Sequence, residues 1–216
     1  MKNKKKLFKS KLQMIVYLIL VVIILILFII IGKYDFNKDI NTEAEQFHQI
    51  FTNVDKNNVF KFVNVTDVNN IISNDDINGI ILFGFKSNEW TKYYAEYIND
   101  VANEVGVKEV FYYDFESDRK ERNGTYETIV NNLSVYTKYD DYNTSDIYAP
   151  TLLVIKDGEV LLYDDSTAIR SGNYTPDIYW QDYQIEEFKS TLRLVFEKYV
   201  KEDSKWKKKR MEELDL

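Results

Sequence analysis

The sequence contains no cysteine, and that absence alone removes disulfides, thiolate nucleophiles, zinc-thiolate centres, haem attachment and iron-sulfur clusters. It has one histidine, His48, so any arrangement that needs two imidazoles is excluded, and metal or acid-base chemistry would have to come from carboxylates. Proline occurs only twice. Cations are scarce after the opening segment: residues 1–33 carry seven lysines and no acid, whereas residues 34–216 carry 21 basic against 35 acidic side chains, a balance of −14. A body that acidic is a poor partner for nucleic acid, and none is expected.

What is present is 45% apolar and 15% aromatic residues, enough for one sizeable core. Met14 to Ile31 reads MIVYLILVVIILILFIII, eighteen residues without a charge, which as a helix cover roughly 27 Å of a ~30 Å hydrocarbon core. The run is apolar all round, unlike a core helix with a polar stripe, and predicts a membrane span. A cleaved signal peptide is the rival, but its apolar stretch is shorter and ends in small residues; here the run ends Ile29-Ile30-Ile31-Gly32-Lys33. Lys2, Lys4, Lys5, Lys6, Lys9 and Lys11 precede the span, so the positive-inside bias predicts a single-pass protein with a cytoplasmic N-terminus and an extracytoplasmic body. Abundant lysine, asparagine and isoleucine with so little proline points to a bacterium with an AT-rich genome. Five N-x-S/T triplets, beginning at Asn64, Asn123, Asn132, Asn143 and Asn173, are read as the chance product of an asparagine-rich chain.

Beyond the span, Thr42-Glu43-Ala44-Glu45 has the pattern of a capping box, and Ala44, Phe47, Phe51 and Val54 follow at helical spacing, predicting a short juxtamembrane helix within residues 34–58. His48 sits beside that stripe without partner ligands and is read as a packing or surface residue. Val59–Val65 reads as a strand, after which Thr66 is placed as the cap of a short helix carrying Val68, Ile71 and Ile72. Gly79–Phe85, GIILFGF, is a continuous apolar run, the pattern of a strand covered on both faces. Trp90, Tyr93, Tyr94, Tyr97, Ile98, Val101, Ala102 and Val105 then trace one side of a long helix. Val107–Phe115 is another strand and Tyr126, Ile129, Val130 and Leu133 mark the next helix. Thr151–Ile155 and Glu159–Tyr163 flank Lys156-Asp157-Gly158, a hairpin signal. Ile185, Phe188, Leu192, Val195, Phe196 and Tyr199 close the order with an amphipathic helix.

This succession, βαβαβ, helix, β-hairpin, helix, resembles the thioredoxin fold. A buried strand runs into a long helix at Phe85-Lys86-Ser87-Asn88-Glu89-Trp90-Thr91-Lys92, where thioredoxin-like proteins carry C-x-x-C. Ala149-Pro150-Thr151 opens an apolar strand that ends in Lys-Asp-Gly-Glu, which looks like that family's cis-proline strand and hairpin. Phe83-Gly84-Phe85 leading to Trp90 is similar to the branch containing bacteriocin-transport accessory proteins and extracytoplasmic disulfide isomerases. The resemblance covers residues 59–201 and implies an α/β thioredoxin-like fold, with a charged tail at 202–216. The departure is as informative as the likeness. The two cysteine positions fall on Asn88 and Thr91, with Glu89-Trp90 between them, and the buried acid of many thioredoxins falls at Leu82. Thiol chemistry needs a thiolate activated at the helix start, and this chain has none. Asn88 as a cap and Glu89 in the first turn make sense there as stabilising groups, each contributing about 0.3 to 2 kcal/mol.

Other constellations carry less. Asp140, Asp141, Asn143 and Asp146 share one loop, but its spacing fails the D-x-[DN]-x-[DN]-G pattern of a calcium loop, because Ser145 and Asp146 occupy the last two positions. Asp164 with Asp165, and Asp114 with Glu116 and Asp118, read as solvated turn carboxylates rather than an acid-base pair. Lys205, Lys207, Lys208, Lys209 and Arg210 flank Trp206 and read as a charged helix end, with contact to anionic lipid as the alternative. The expectation is therefore a membrane-anchored thioredoxin-like protein without redox or other enzymatic activity and without a cofactor. Its contact with the bilayer is through residues 14–31, and its role is to bind a peptide or protein at a surface around Asn88, Glu89, Trp90, Thr91, Ala149 and Pro150. Strand addition needs only main-chain groups, which is why the loss of sulfur does not abolish it. The alternative is an architectural subunit of a membrane export or bacteriocin-handling complex.

Overall fold

The computed structural model describes residues 15–22, 43–139, 145–168 and 174–201. The chain divides into two compact units, Met1–Thr42 and Glu43–Leu216. In the first, residues 15–22 form an α-helix with every side chain exposed; the rest of the expected span 14–31 lies outside the described residues. Among the described residues no helix is long and apolar enough to cross a membrane.

The second unit begins with α1 (residues 43–50). Ala44, Phe47, Phe51 and Val54 are all buried, and Phe47 stacks on Phe60 at 4.0 Å between ring centroids. The stripe is the one the sequence predicts, but its role is different: these rings share one core with Phe60 and Tyr112, so from Glu43 onward the expected juxtamembrane segment is built into the domain. Thr42, half of the expected capping box, lies outside the described residues. His48 is half-buried and its Nδ1–H donates to the Val54 carbonyl at 2.6 Å, closing the end of this segment.

Five strands form the central sheet in the order β1 (Phe60–Phe62), β3 (Val110–Asp114), β2 (Gly79–Gly84), β6 (Thr151–Lys156), β7 (Glu159–Asp164). The pairs β1–β3 and β2–β3 are parallel, and β2–β6 and β6–β7 are antiparallel. Helices cover both faces. On one, α1, α3 (Glu89–Val105) and α7 (Asp182–Val200) enclose Ile80, Leu82, Tyr112, Leu152 and Val154; on the other, α2 (Val65–Ser73) and α5 (Gly124–Asn132) enclose Ile81, Phe83, Tyr113, Leu153 and Ile155. Successive residues of β2 and β6 thus face opposite cores, which is why both strands are apolar without alternation.

Local signals account for most boundaries. The cap of α2 is Asn64 rather than Thr66: its Oδ1 accepts the amides of Thr66 and Asp67 while Asp67 Oδ2 accepts the Asn64 amide, a reciprocal capping box that starts the helix two residues early and shortens β1. Asp157 and Gly158, at φ of 53° and 74°, make the two-residue turn that the Asp-Gly pair predicts. Helix α7 ends where Lys156 Nζ donates to the carbonyls of Lys198 and Lys201 at 3.1 and 2.5 Å, a cation on the negative helix end. Four elements lie outside the periodicity argument: α4 (Glu116–Glu121), the two-residue strands β4 (Lys138–Tyr139) and β5 (Ser145–Asp146), and the single turn α6 (Pro176–Tyr179). Each is too short for a period to be read.

Candidate functional site

Helix α3 starts where β2 leaves the core. Asn88 caps it: the Asn88 amide reaches back to the Phe85 carbonyl at 3.0 Å, and its Oδ1 accepts the Thr91 amide at 2.9 Å. Its Nδ2 donates across the mouth of the sheet to the Ala149 carbonyl at 3.5 Å. Sixty-one residues apart in sequence, the two halves of the expected site therefore meet. Glu89 is exposed in the first turn, where a carboxylate complements the helix dipole. Thr91 is fully buried, and its methyl fills the space above Gly84, where an added Cβ would overlap Thr91 Cγ2. Glycine at 84 is set by this close approach of helix and strand.

Trp90, read from the sequence both as the first member of the apolar stripe and as part of the binding surface, is on the buried side of the helix. It is only 5% exposed and lies against Tyr179 of α6, ring centroids 5.5 Å apart. One turn on, Tyr94 is fully buried and donates to Asp164 Oδ2 at 3.2 Å; burial, and then the Asp164 carboxylate, push its phenol pKa well above the ordinary value. Tyr97 meets Trp180 edge-on at 5.1 Å. Helix α3 also buries Thr91, Ala95 and Asn99, an arc wider than the apolar stripe, because Asn99 Oδ1 accepts the Val59 amide at 3.2 Å and so satisfies its buried amide group. Leu82, beneath the helix, is fully buried.

The other half of the site is the loop entering β6. The Ala149–Pro150 bond is cis, Ala149 is 9% exposed and Pro150 is buried. The Tyr148 carbonyl accepts the Thr151 hydroxyl at 2.6 Å. Just upstream, Asp146 is the centre of a network with no local sequence signal. Its Oδ2 accepts Arg119 Nε at 2.8 Å, its Oδ1 accepts the Tyr126 hydroxyl at 2.7 Å and the Ile147 amide at 2.9 Å, and Arg122 Nη1 lies 3.3 Å away. The Arg119 guanidinium also lies 4.9 Å from the Tyr148 ring centroid. The residues come from α4, α5 and β5, and only a pair of arginines three apart, Arg119 and Arg122, hints at a shared face.

The remaining carboxylates resolve as structural groups. Asp118, expected in a solvated turn, sits on α4 and accepts the Tyr113 hydroxyl at 2.6 Å and Asn123 Nδ2 at 2.5 Å. Asp114 lies 3.4 Å from Lys86, and Asp165 is buried beside the end of β7. Asp140, Asp141 and Asn143 lie outside the described residues, as does the basic cluster 205–210, and Asp146 is already neutralised by two arginines. Among the described residues no group of three or more acidic or histidine side chains could hold a metal ion. The arrangement brings together a helix start, the Tyr148 and Ala149 carbonyls and the Asn88 side-chain amide. Comparison with protein-family models gives no match for this sequence, and no curated protein matches it either.

Proposed function

We propose that the folded unit is a thioredoxin-like domain, anchored at the outer side of the cell membrane by residues 14–31, that works by binding a protein or peptide and carries no thiol chemistry. Support comes from the sheet order β1-β3-β2-β6-β7 with its last two strands antiparallel to their neighbours, and from the absence of cysteine. The observation that carries the reading is the bond from Asn88 Nδ2 to the Ala149 carbonyl. It sets a helix start against the bend that leads into β6, and that carbonyl is the acceptor an added strand would use. The architectural alternative has its own support in the burial of Trp90 and Ala149, which leaves little of either side chain for a partner to touch.

The test is photo-crosslinking in cells from Glu89, which is exposed, with the exposed Asp75 as control. The binding reading expects a defined partner captured from position 89 and lost in Asn88→Ala, with nothing from 75. Capture unaffected by Asn88→Ala would favour the architectural subunit. The topology is checked separately by protease on spheroplasts, which should remove the chain beyond about Lys33.

A further inference from the structure

Residues 174–188, YTPDIYWQDYQIEEF, hold five aromatic residues, four carboxylates and no lysine or arginine. Three large apolar side chains of this stretch stand in solvent: Tyr174 at 49%, Ile178 at 61% and Tyr183 at 72% exposure. They stand on a firm base. Tyr179 lies between Tyr174 (6.5 Å) and Trp90 (5.5 Å), and the neighbouring Trp180 is buried against Tyr94, Tyr97 and Phe188. Gln181 Nε2 ties the turn together by donating to the Asp177 and Ile178 carbonyls at 3.1 and 3.2 Å. Apolar side chains scattered singly over a surface need no explanation, but three within ten residues, with carboxylates between them, have the composition of an interaction site.

Elsewhere on α7 the charges are matched, Lys189 with Asp100 and Arg193 with Glu104, both at 2.8 Å. At the platform, Asp177 and Asp182 are exposed, and Glu186 comes within 3.9 Å of Arg193 at its far end. We infer that α6 and the first turn of α7 form a docking surface for a cationic segment of another protein, with lysine or arginine over the tyrosine rings and among the carboxylates, and apolar side chains on Ile178. The charge decides among occupants. Tyrosine faces attract cations, and the carboxylates steer them in. A second copy meeting this face with its acidic body would set like charge against like, which leaves the cationic stretch 205–210 as the rival segment within this chain, and an anionic lipid surface would be repelled. The inference does not depend on the Asn88–Ala149 contact, although Trp90, on which Tyr179 rests, belongs to the surface expected around it.

The test uses the full-length chain in nonionic detergent and two synthetic probes, a peptide of alternating lysine and leucine and its glutamate-leucine counterpart. The lysine peptide should bind and the glutamate peptide should not, with affinity falling about tenfold between ~0.05 and ~0.5 M salt. Tyr174→Ala with Ile178→Ala and Tyr183→Ala should weaken binding about tenfold, and Asp177→Asn with Asp182→Asn should do the same. These side chains are exposed, so circular dichroism should report unchanged folding. Asp75→Asn with Asp76→Asn, an acidic pair at the end of α2, should leave binding unchanged. Absence of binding, unaltered binding in either platform variant, or an equal loss in the Asp75 and Asp76 control would overturn the inference. So would self-association that the triple variant abolishes while peptide binding stays the same, because the face would then belong to a second copy.

Discussion

The loop that enters β6 is held at its two ends in opposite ways. At Asp146, arginine, tyrosine and main-chain donors converge on one carboxylate that is largely removed from water. Three residues later, the carbonyl of Ala149 receives one amide contact at 3.5 Å from Asn88. Charge-assisted bonds to a shielded carboxylate are worth more than a long neutral one, so the first end is a clamp and the second is a contact that an incoming main chain can displace at small cost. The difference gives the proposed binding edge rigid support close by and weak occupancy at the edge itself.

The largest effect should come from alkali, which attacks the clamp through Tyr126 and both cores through Tyr94, Tyr112 and Tyr113. All four are buried, and burial first, then nearby carboxylates in various combinations, raise their phenol pKa values. A pKa raised in the folded state means that stability is complete below the unfolded value near 10 and is lost as pH climbs from there toward the folded values. Each tyrosine costs roughly 1.4 kcal/mol per pH unit in that window, so four cost about 5 to 6. Unfolding followed by circular dichroism should coincide with the rise of phenolate absorbance, and ionisation of these phenols in an intact fold would contradict their burial.

Next in size is Trp90→Ala, which removes a buried ring packed on Tyr179 and should destabilise the domain by about 3 to 5 kcal/mol in denaturant titration. A loss below about 1 kcal/mol would return Trp90 to the role of an exposed anchor. Asp146→Ala breaks the clamp directly and leaves Arg119 and Arg122 without their shared carboxylate. Because both arginines keep some access to water, a loss of about 3 kcal/mol is expected. The smallest effect is that of Asn88→Ala, about 1 kcal/mol for the lost cap, with the Ala149 carbonyl freed. Equal losses from Asp146→Ala and Asn88→Ala would erase the distinction between the two ends.

The elements that the sequence makes legible are those with a local signal: the unbroken apolar run of β2, the stripes of α3 and α7, the Asp157-Gly158 turn. What escapes depends on partners distant in sequence. Nothing near Asp146 announces that Arg119 and Tyr126 will converge on it. Trp90 reads equally as a stripe member or as an exposed anchor until Tyr179, from a one-turn helix without a period, is laid over it. Asn64 displaced Thr66 as a cap because asparagine and threonine both satisfy the local rule, and only Asp67, three residues after Asn64, completes the reciprocal pair. The meeting of Asn88 with Ala149 was reachable only through a family likeness, since no local pattern joins two loops 61 residues apart.

The proposed function rests on the start of α3 being a thioredoxin-like helix start in which Asn88 and Thr91 stand at the sulfur positions. The most direct test is Asn88→Cys with Thr91→Cys in the full chain. The account predicts a folded protein whose two thiols close an internal disulfide on mild oxidation, with the thiol at position 88 ionising below the ordinary cysteine value of about 8.5 because it lies at a helix N-terminus. A folded double variant whose thiols stay unpaired, or whose thiol at 88 titrates at the ordinary value, would contradict it.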